Sequence, residues 1–224
     1  RSTQSRSSAA SDVYKRQCWN LVPKKYRVDP IIVRELQAAG HEIGVHGYNH
    51  DGRLFWSRPL FEKRARAINE LFREWGAVGF RAPMVHRNLE WMQALNIQYD
   101  ASCFDYDPFQ PFPGGVKSIW PFIAGRFVEL PYTLPQDHAL FILLGQTTPA
   151  VWIRKTEWLI QHRGVVLLIT HPDYLDTPER RGVYEDFLQF LKSKKNGWHL
   201  LPIELAAYWR ATWNTENARA TMVR

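Results

Sequence analysis

The stretch HEIGVHGYNH, residues 41–50, decides the fold class of this chain. Its first five residues alternate in the way that predicts a short strand, and the polar residues that follow include His46 and His50. A helix is predicted on each side of this strand, near 30–39 and near 59–75. The second has an apolar stripe with spacings of 4, 3, 4 and 3 residues, which predicts one buried face: Phe61, Ala65, Ile68, Phe72 and Trp75. Strands that alternate with helices predict an α/β fold, in which helices pack on a parallel sheet.

The alternation continues along the rest of the chain. Residues that favour helix ends mark the limits of the predicted helices. At Asp29-Pro30, for example, an N-cap residue is followed by a proline in the first turn, where a backbone N–H is not needed. The run VVLLIT is continuously apolar, which is typical of parallel strands buried on both faces. This run occupies residues 165–170, and the other predicted strands lie at 18–22, 77–80, 98–102, 118–122 and 126–132. Further helices are predicted at 88–95 and between 149 and 164. Another begins at Thr177-Pro178, and a last short helix ends at about Trp213.

Composition and charge exclude several classes of protein. The 224 residues are 45% hydrophobic and include ten Trp, which is enough apolar material for one sizeable core. The longest apolar runs are far shorter than the roughly 20 residues that a membrane span requires. Of the formal net charge of +7, residues 1–17 carry +3, and the chain has no Lys/Arg block of the kind that binds nucleic acid. We therefore expect no membrane span and no nucleic-acid partner.

The domain organisation follows from where apolar periodicity begins and ends. Residues 1–17 are rich in Ser and Arg, and we expect a non-native or disordered leader there. Residues 18–213 are predicted to form one domain, and 214–224 a C-terminal tail. Cys18 and Cys103 each lie in an apolar, strand-like run, which is typical of a buried free thiol.

Three predicted strands are followed directly by residues that can carry chemistry. His46 and His50 follow the first, Arg81 follows the second, and His171 follows the strand over 165–170. Parallel α/β folds bind ligands at the carboxyl ends of their strands. The sequence therefore predicts a functional site at that edge.

Each of these residues has a functional and a structural interpretation. Two histidines four residues apart can converge on one metal ion, most often zinc, or they can be two exposed loop histidines. His171 can act as a general acid, or it can simply end its strand. Arg81 can bind a carboxylate bidentately, or it can be a solvated loop residue.

Four motifs in this order carry a family resemblance: HEIGVHGYNH, GFRAP, YDASCFDYDP and LLITHPDY. They resemble the motifs of the polysaccharide deacetylases, the NodB-type group in carbohydrate esterase family four, over about residues 18–205. The resemblance implies a distorted (β/α) barrel and a divalent metal, usually zinc, held by an Asp and two His. A second Asp then acts as base, and a late His protonates the amine that leaves.

The resemblance also assigns roles to particular residues. The family's H-[ST]-x-x-H motif maps onto His46 and His50 with Gly47 at the Ser/Thr position, and its R-x-x-P motif matches Arg81 and Pro83 one residue short. Asp105 and Asp107 lie in the region of a groove motif without matching its spacing. The assigned residues are His46 and His50 as metal ligands, His171 and Arg81 as catalytic residues, and Tyr48, Pro83 and Asp105 as substrate-binding residues.

The paired-Asp motif that gives the family its base and third metal ligand is absent from 18–224. We therefore expect a barrel that lacks its first strand, from a metal-dependent hydrolase that removes N-acetyl or O-acetyl groups from a polysaccharide or glycan intermediate. The chain as given is expected to be inactive. Two alternatives stay open: a hydrolase of a non-peptide C–N bond in a small molecule, and a non-catalytic carbohydrate-binding module. Oligomeric state is not predicted.

Overall fold

A computed structural model of the chain describes residues 16–109, 115–195 and 197–222, with side chains as far as Asn214 in the last helix. The described residues form two compact units. The sheet unit comprises Cys18–Cys103, Pro121–Pro131 and the residues from Leu200 onward; the helical unit comprises Phe104–Trp120 and Tyr132–His199. The predicted leader lies outside the described residues except for Arg16 and Gln17, and the boundaries predicted at 213 and 214 stay predictions.

Six strands form the sheet unit's single sheet, in the order β1-β2-β3-β4-β6-β5. All neighbouring strands are parallel except the hairpin of β5 and β6. This largely parallel sheet confirms the predicted α/β class. The strands are β1 (Cys18–Leu21), β2 (Glu42–His46), β3 (Gly79–Arg81), β4 (Tyr99–Asp100), β5 (Phe122–Ala124) and β6 (Phe127–Glu129).

Two helices begin at the caps that the sequence predicts, Asp29 and Thr177, and a third begins at Ser57, which was not predicted as a cap. Asp29, Ser57 and Thr177 each accept a hydrogen bond from a backbone N–H in the first turn of the helix that follows. The helices are α1 (Pro30–Ala38), α2 (Arg58–Trp75), α3 (Ala150–Gln161), α4 (Pro178–Ser193) and α5 (Pro202–Met222). Short 3₁₀ turns lie at Pro83–Val85, Trp91–Ala94 and Pro172–Tyr174, and a π turn lies at Ala139–Leu143.

Helix α2 packs its apolar stripe on the sheet. The predicted residues are all buried, and they share a core with Val45 of β2 and Phe80 of β3. The stripe consists of Phe61, Ala65, Ile68, Phe72 and Trp75. The spacing of 4, 3, 4 and 3 residues therefore predicts the buried face correctly.

The helical unit has its own core, in which Trp152 of α3 packs against Phe187 of α4 with ring centroids 5.2 Å apart. The indole N–H of Trp152 donates to the carbonyl of Pro135 at 2.8 Å, so this large side chain is buried with its polar atom satisfied. The spacing of apolar residues in α4 predicts a buried stripe of Tyr184, Phe187, Leu188 and Leu191. The first three are buried and Leu191 is only half-buried, while Val183 is buried as well.

The predicted strand over 165–170 is wrong as a regular strand. The hydroxyl of Thr133 accepts from Leu167 N at 3.1 Å and donates to Val165 O at 2.7 Å. A side-chain hydroxyl thus forms the hydrogen bonds that the backbone of a neighbouring strand would form in a regular sheet. Within this segment only Ile169 is buried, so its apolar residues are not covered on both faces within the described structure.

Two predicted helices also differ from the structure. Residues 88–95 contain only the 3₁₀ turn Trp91–Ala94, and the last helix continues to Met222 instead of ending near Trp213. Across the described parts of the chain, no helix combines the length and apolar character needed to cross a membrane.

A glycine substitution tests the packing of β3 against β4. A Cβ at Gly79 would lie 2.0 Å from Cζ of Tyr99, whose ring is buried, so Gly79→Ala forces the strands apart. We expect it to lower the free energy of unfolding by about 1–3 kcal/mol, the usual cost of overpacking. Gly182→Ala in α4 is the matched control, since no atom beyond the adjoining residues and backbone of its own helix lies within 4 Å of the added Cβ in the described structure, and it should stabilise by about 0.5–1 kcal/mol. Denaturant unfolding of both variants measures this; equal effects would contradict the packing described.

Candidate functional site

His46 and His50 are brought together by the turn that follows β2. Gly47 and His50 have left-handed backbone conformations, with φ of 64° and 56°, and these fold the chain back after the strand. The two imidazole ring centroids lie 5.0 Å apart with their planes at 64°. Rings this close can direct nitrogens to one ion, since each zinc–nitrogen bond is about 2.1 Å long.

A backbone carbonyl sets the tautomer of His46. Its Nδ1 lies 2.9 Å from the carbonyl oxygen of Arg81, its register partner on β3. A carbonyl can only accept, so Nδ1 carries the hydrogen and the lone pair of the neutral ring is on Nε2. Metal-ligating histidines usually donate their other ring N–H in this way.

The position of Pro83 explains why residue 47 is glycine. A Cβ at residue 47 would lie 2.5 Å from both Cδ and Cγ of Pro83. The positive φ of Gly47 also disfavours any side chain. The two departures from the family motifs are therefore linked here, because the proline that comes one residue early fills the space of the missing Ser/Thr side chain.

The loop after His50 is anchored by an ion pair. Both carboxylate oxygens of Asp51 accept from the guanidinium of Arg64, at 2.7 and 2.6 Å, and one also accepts from Arg53 N. The hydrogen bonds from Arg64 hold the pKa of Asp51 well below its usual range. Asp51 therefore anchors the loop.

Buried hydrogen bonds join the end of β3 to the end of β4. Ala82 N donates to the hydroxyl of Ser102 at 2.8 Å, and this hydroxyl donates to Asp100 at 2.7 Å. Arg81 Nε donates to the carbonyl of Ala101 at 3.0 Å. Asp100 was not predicted as a functional residue, although a charged residue inside the strand predicted over 98–102 is a signal that could have identified it.

Asp137, which sequence analysis also missed, holds His171 in the helical unit. His171 Nδ1 lies 2.8 Å from Oδ1 of Asp137, and the backbone N–H of His171 donates to Oδ2. The Asp137 side chain is fully buried, whereas that of His171 is 36% exposed. No local signal links two residues 34 positions apart, although a histidine at the end of a predicted strand is a reason to look for an acid on neighbouring segments.

The three residues predicted to bind substrate have different surroundings. Tyr48 is half-buried against the core of the sheet unit, and Pro83 is buried. Asp105, in the helical unit, is buried and pairs with Lys155 at 2.8 Å. Burial raises the pKa of Asp105, and its hydrogen bond with Lys155 opposes that shift.

The predicted residues thus fall into two groups, each inside one unit. His46, His50, Arg81, Tyr48 and Pro83 belong to the sheet unit, and His171 and Asp105 belong to the helical unit. Within the part of the chain that the structure describes, no group of three or more His, Cys, Asp or Glu could hold a metal ion. The roles assigned to these residues stay predictions.

Comparisons with known proteins identify the fold. No protein-family profile matches the chain, and no curated protein matches its sequence. The structure resembles a Mycobacterium smegmatis protein assigned as a polysaccharide deacetylase, with a TM-score of 0.70, 19% identity, and 91% of this chain and 75% of that one covered. It also resembles PuuE allantoinase, with a TM-score of 0.69, 17% identity, and 95% and 73% covered.

A third solved structure shows the same fold. This Pseudomonas aeruginosa PAO1 protein, also assigned as a polysaccharide deacetylase, matches with a TM-score of 0.62 and 18% identity over 81% of this chain and 63% of that one. The chain thus has the NodB-type fold of the polysaccharide deacetylases, in the (β/α) barrel class, which confirms the fold predicted from the four motifs. Identities this low establish the fold and leave activity to be argued from the site.

The ion pair of Asp51 with Arg64 gives a prediction about pH. Because the folded pKa of Asp51 is depressed, its stabilising contribution is present above the unfolded value of about 3.8 and is lost as the pH falls through the folded pKa. We expect Asp51→Asn to cost about 1 kcal/mol at pH 7, since the pair is partly exposed, and progressively less below pH 4.

Chemical denaturation of wild type and variant across pH 2–7 measures this difference. Glu62→Gln is the control, because its partner Arg58 is 61% exposed and that pair should contribute little at any pH. A difference for Asp51→Asn that does not change with pH would contradict the ion-pair assignment.

Proposed function

We propose that this chain is part of a hydrolase that uses a divalent metal, with zinc expected, to remove N-acetyl or O-acetyl groups from a polysaccharide or glycan intermediate. The observation that carries the proposal is the pair of His171 with the buried Asp137. An imidazole fixed by a buried carboxylate is the arrangement of a general acid or base, and a histidine without a chemical role does not require it. The shared fold supports the same reaction class.

His171 would supply the proton that the leaving group takes. Because Asp137 accepts the Nδ1 hydrogen, Nε2 is the nitrogen that exchanges a proton with a substrate. The carboxylate also accepts from the backbone N–H of His171, so both of its oxygens hold this residue in place. The side chain is 36% exposed, so a substrate can reach it.

His46 and His50 would hold the metal. The Nδ1–H tautomer of His46 and the 5.0 Å separation of the two rings fit two ligands of one cation. A bound divalent cation would polarise the acyl carbonyl and make water a better nucleophile. The family motif also implies a third ligand and a base, an Asp pair that residues 18–224 do not contain.

The remaining assigned residues would orient the substrate. The Nε–H bond to Ala101 O fixes the direction of the Arg81 guanidinium, which is proposed to act in catalysis. Tyr48 and Pro83 would line the substrate site. Asp105 would contact sugar hydroxyls while it remains paired with Lys155. The ion pair has no net charge, so a neutral polar ligand can approach it.

A second candidate is the hydrolysis of a non-peptide C–N bond in a small molecule. The allantoinase matches this chain with almost the same TM-score as the first deacetylase, so the fold supports both reactions equally. Product analysis with N-acetylated oligosaccharides and with a cyclic ureide separates them. A chain that takes up no zinc would support the third possibility, a carbohydrate-binding module.

The metal assignment predicts that the chain binds zinc weakly through two histidines. After dialysis against zinc, wild type should retain more metal than the His46→Ala/His50→Ala double variant, as measured by atomic absorption. Replacing the exposed His162 by Ala is the control and should leave the zinc content unchanged. Equal content in wild type and double variant would refute the metal site.

The acid assignment predicts the effect of His171→Ala in the natural full-length enzyme. Its kcat should fall about 10²- to 10⁴-fold with metal content intact, the usual cost of losing one general acid. Asp137→Asn should lower kcat in the same direction, because an amide cannot hold the ring as the carboxylate does. Loss of metal would make His171 a ligand instead, and an unchanged kcat would leave it a structural residue.

A further inference from the structure

Two buried glutamates of the sheet have opposite surroundings. Glu42 of β2 has a donor on each carboxylate oxygen, from the hydroxyl of Tyr99 at 2.7 Å and from Ile203 N at 3.1 Å. Glu129, at the end of β6, is fully buried and accepts from Cys103 N at 2.8 Å through Oε1. Its buried Oε2 has no hydrogen-bond donor in the described structure.

The group beside Glu129 is itself a carboxyl. Asp100 is the register partner of Glu129 across the parallel strands β4 and β6, and it is also fully buried. Both oxygens of Asp100 already accept from Ser102, one from its N–H at 3.0 Å and one from its hydroxyl at 2.7 Å. Two adjacent carboxylates removed from water cannot both ionise at moderate cost.

We infer that Asp100 and Glu129 form an acid pair that holds one proton, carried by Oε2 of Glu129 and donated to the Asp100 carboxylate, and that the ionised Asp100 positions the β3 loop of the proposed site. The second half of this inference rests on the proposed function. Neither residue would touch substrate or metal, so both are positioning residues.

The electrostatics agree with this location of the proton. Burial, and then the charge of Asp100, raises the pKa of Glu129 well above its usual value. The pKa of Asp100 is also raised by burial, but hydrogen bonds from Glu129 and Ser102 and the charge of Arg81 oppose that shift. Burial likewise raises the pKa of the neighbouring Cys103 thiol, so the thiol stays neutral and adds no charge.

Hydrogen bonds carry the effect of Asp100 to the metal-ligand candidate. Asp100 accepts from the hydroxyl of Ser102, and that hydroxyl accepts from Ala82 N. Ala82 follows Arg81, whose carbonyl accepts the Nδ1 hydrogen of His46. The acid pair therefore fixes the backbone that sets the tautomer and orientation of His46.

The pair predicts an asymmetry between two isosteric substitutions. Glu129→Gln places an amide N–H where the carboxylic acid O–H would be, so it reproduces the protonated side chain. Asp100→Asn removes one of the two acceptors that Ser102 uses and turns an N–H toward a donor. The first should be nearly silent for structure, and the second should disturb the loop.

Infrared spectroscopy at pH 8 tests the proton. Wild type should show the C=O stretch of a protonated carboxylic acid, and Glu129→Gln should lose it with little change in melting temperature. Glu42→Gln is the matched control and should keep the band, because Glu42 has a donor on each oxygen. A band that persists in Glu129→Gln, or is absent from wild type, would overturn the protonated Glu129 whatever the function.

Zinc titration tests the positioning. Ser102→Ala removes the hydroxyl that links Asp100 to Ala82 N by hydrogen bonds. It can therefore replace Asp100→Asn in this test if that variant does not fold. We expect it to weaken zinc binding about tenfold while the protein stays folded, within the range for residues that orient metal ligands, and Glu129→Gln to leave binding unchanged. If wild type binds zinc and Ser102→Ala binds it equally, positioning is wrong and the proposed function stands; if wild type binds none, both fail and the infrared result is unaffected.

Discussion

The parallel pairing of β2 with β3 is the constraint on which the rest of the candidate site depends. It sets His46 opposite Arg81, so that the carbonyl of one residue can fix the imidazole of the other at 2.9 Å. In a parallel sheet the carboxyl ends of all strands lie at one edge, and polar residues that follow different strands therefore become neighbours. The buried stripe of α2 holds this register, since a slip of one residue would turn the side chains of Val45 and His46 to the opposite faces.

Buried acids show how the fold combines polar groups with its core. Both oxygens of Asp137 accept hydrogen bonds from His171, and those of Glu42 accept from a tyrosine hydroxyl and from a backbone N–H. An unpaired buried charge would cost several kcal/mol, so each of these carboxyls requires specific partners. The pair of Asp100 and Glu129 meets the same requirement by sharing a proton, which removes one charge and leaves the other bonded to Ser102.

The turn after β2 shows how two small changes of sequence depend on each other. Gly47 has no side chain because its φ is positive and because Pro83 occupies the adjacent space. The motif of Arg81 and Pro83, which is one residue short, thus packs against the histidine motif that has Gly47 at its Ser/Thr position. Motif spacing alone shows two departures, whereas the packing shows that one accommodates the other.

Local sequence patterns predicted the alternation of strands and helices, the caps at Asp29 and Thr177, the buried stripe of α2, and the positions of His46, His50 and Arg81 at or just after the ends of strands. These features depend on the periodicity and chemistry of neighbouring residues, so a local pattern is sufficient to predict them. The match of the fold to solved deacetylases confirms the architecture that the four motifs predicted.

The hydrogen-bond partners of the candidate residues follow from the folded structure and not from local sequence. Asp137 is 34 positions from His171, and Glu129 lies 29 positions beyond Asp100, at distances along the chain where no periodicity operates. The segment 165–170 has an apolar strand pattern, yet the hydroxyl of Thr133 takes the hydrogen bonds of a ladder. Burial and hydrogen-bond partners are set by which segments the fold brings together, and therefore the chemistry of a buried acid could not be predicted from its immediate sequence.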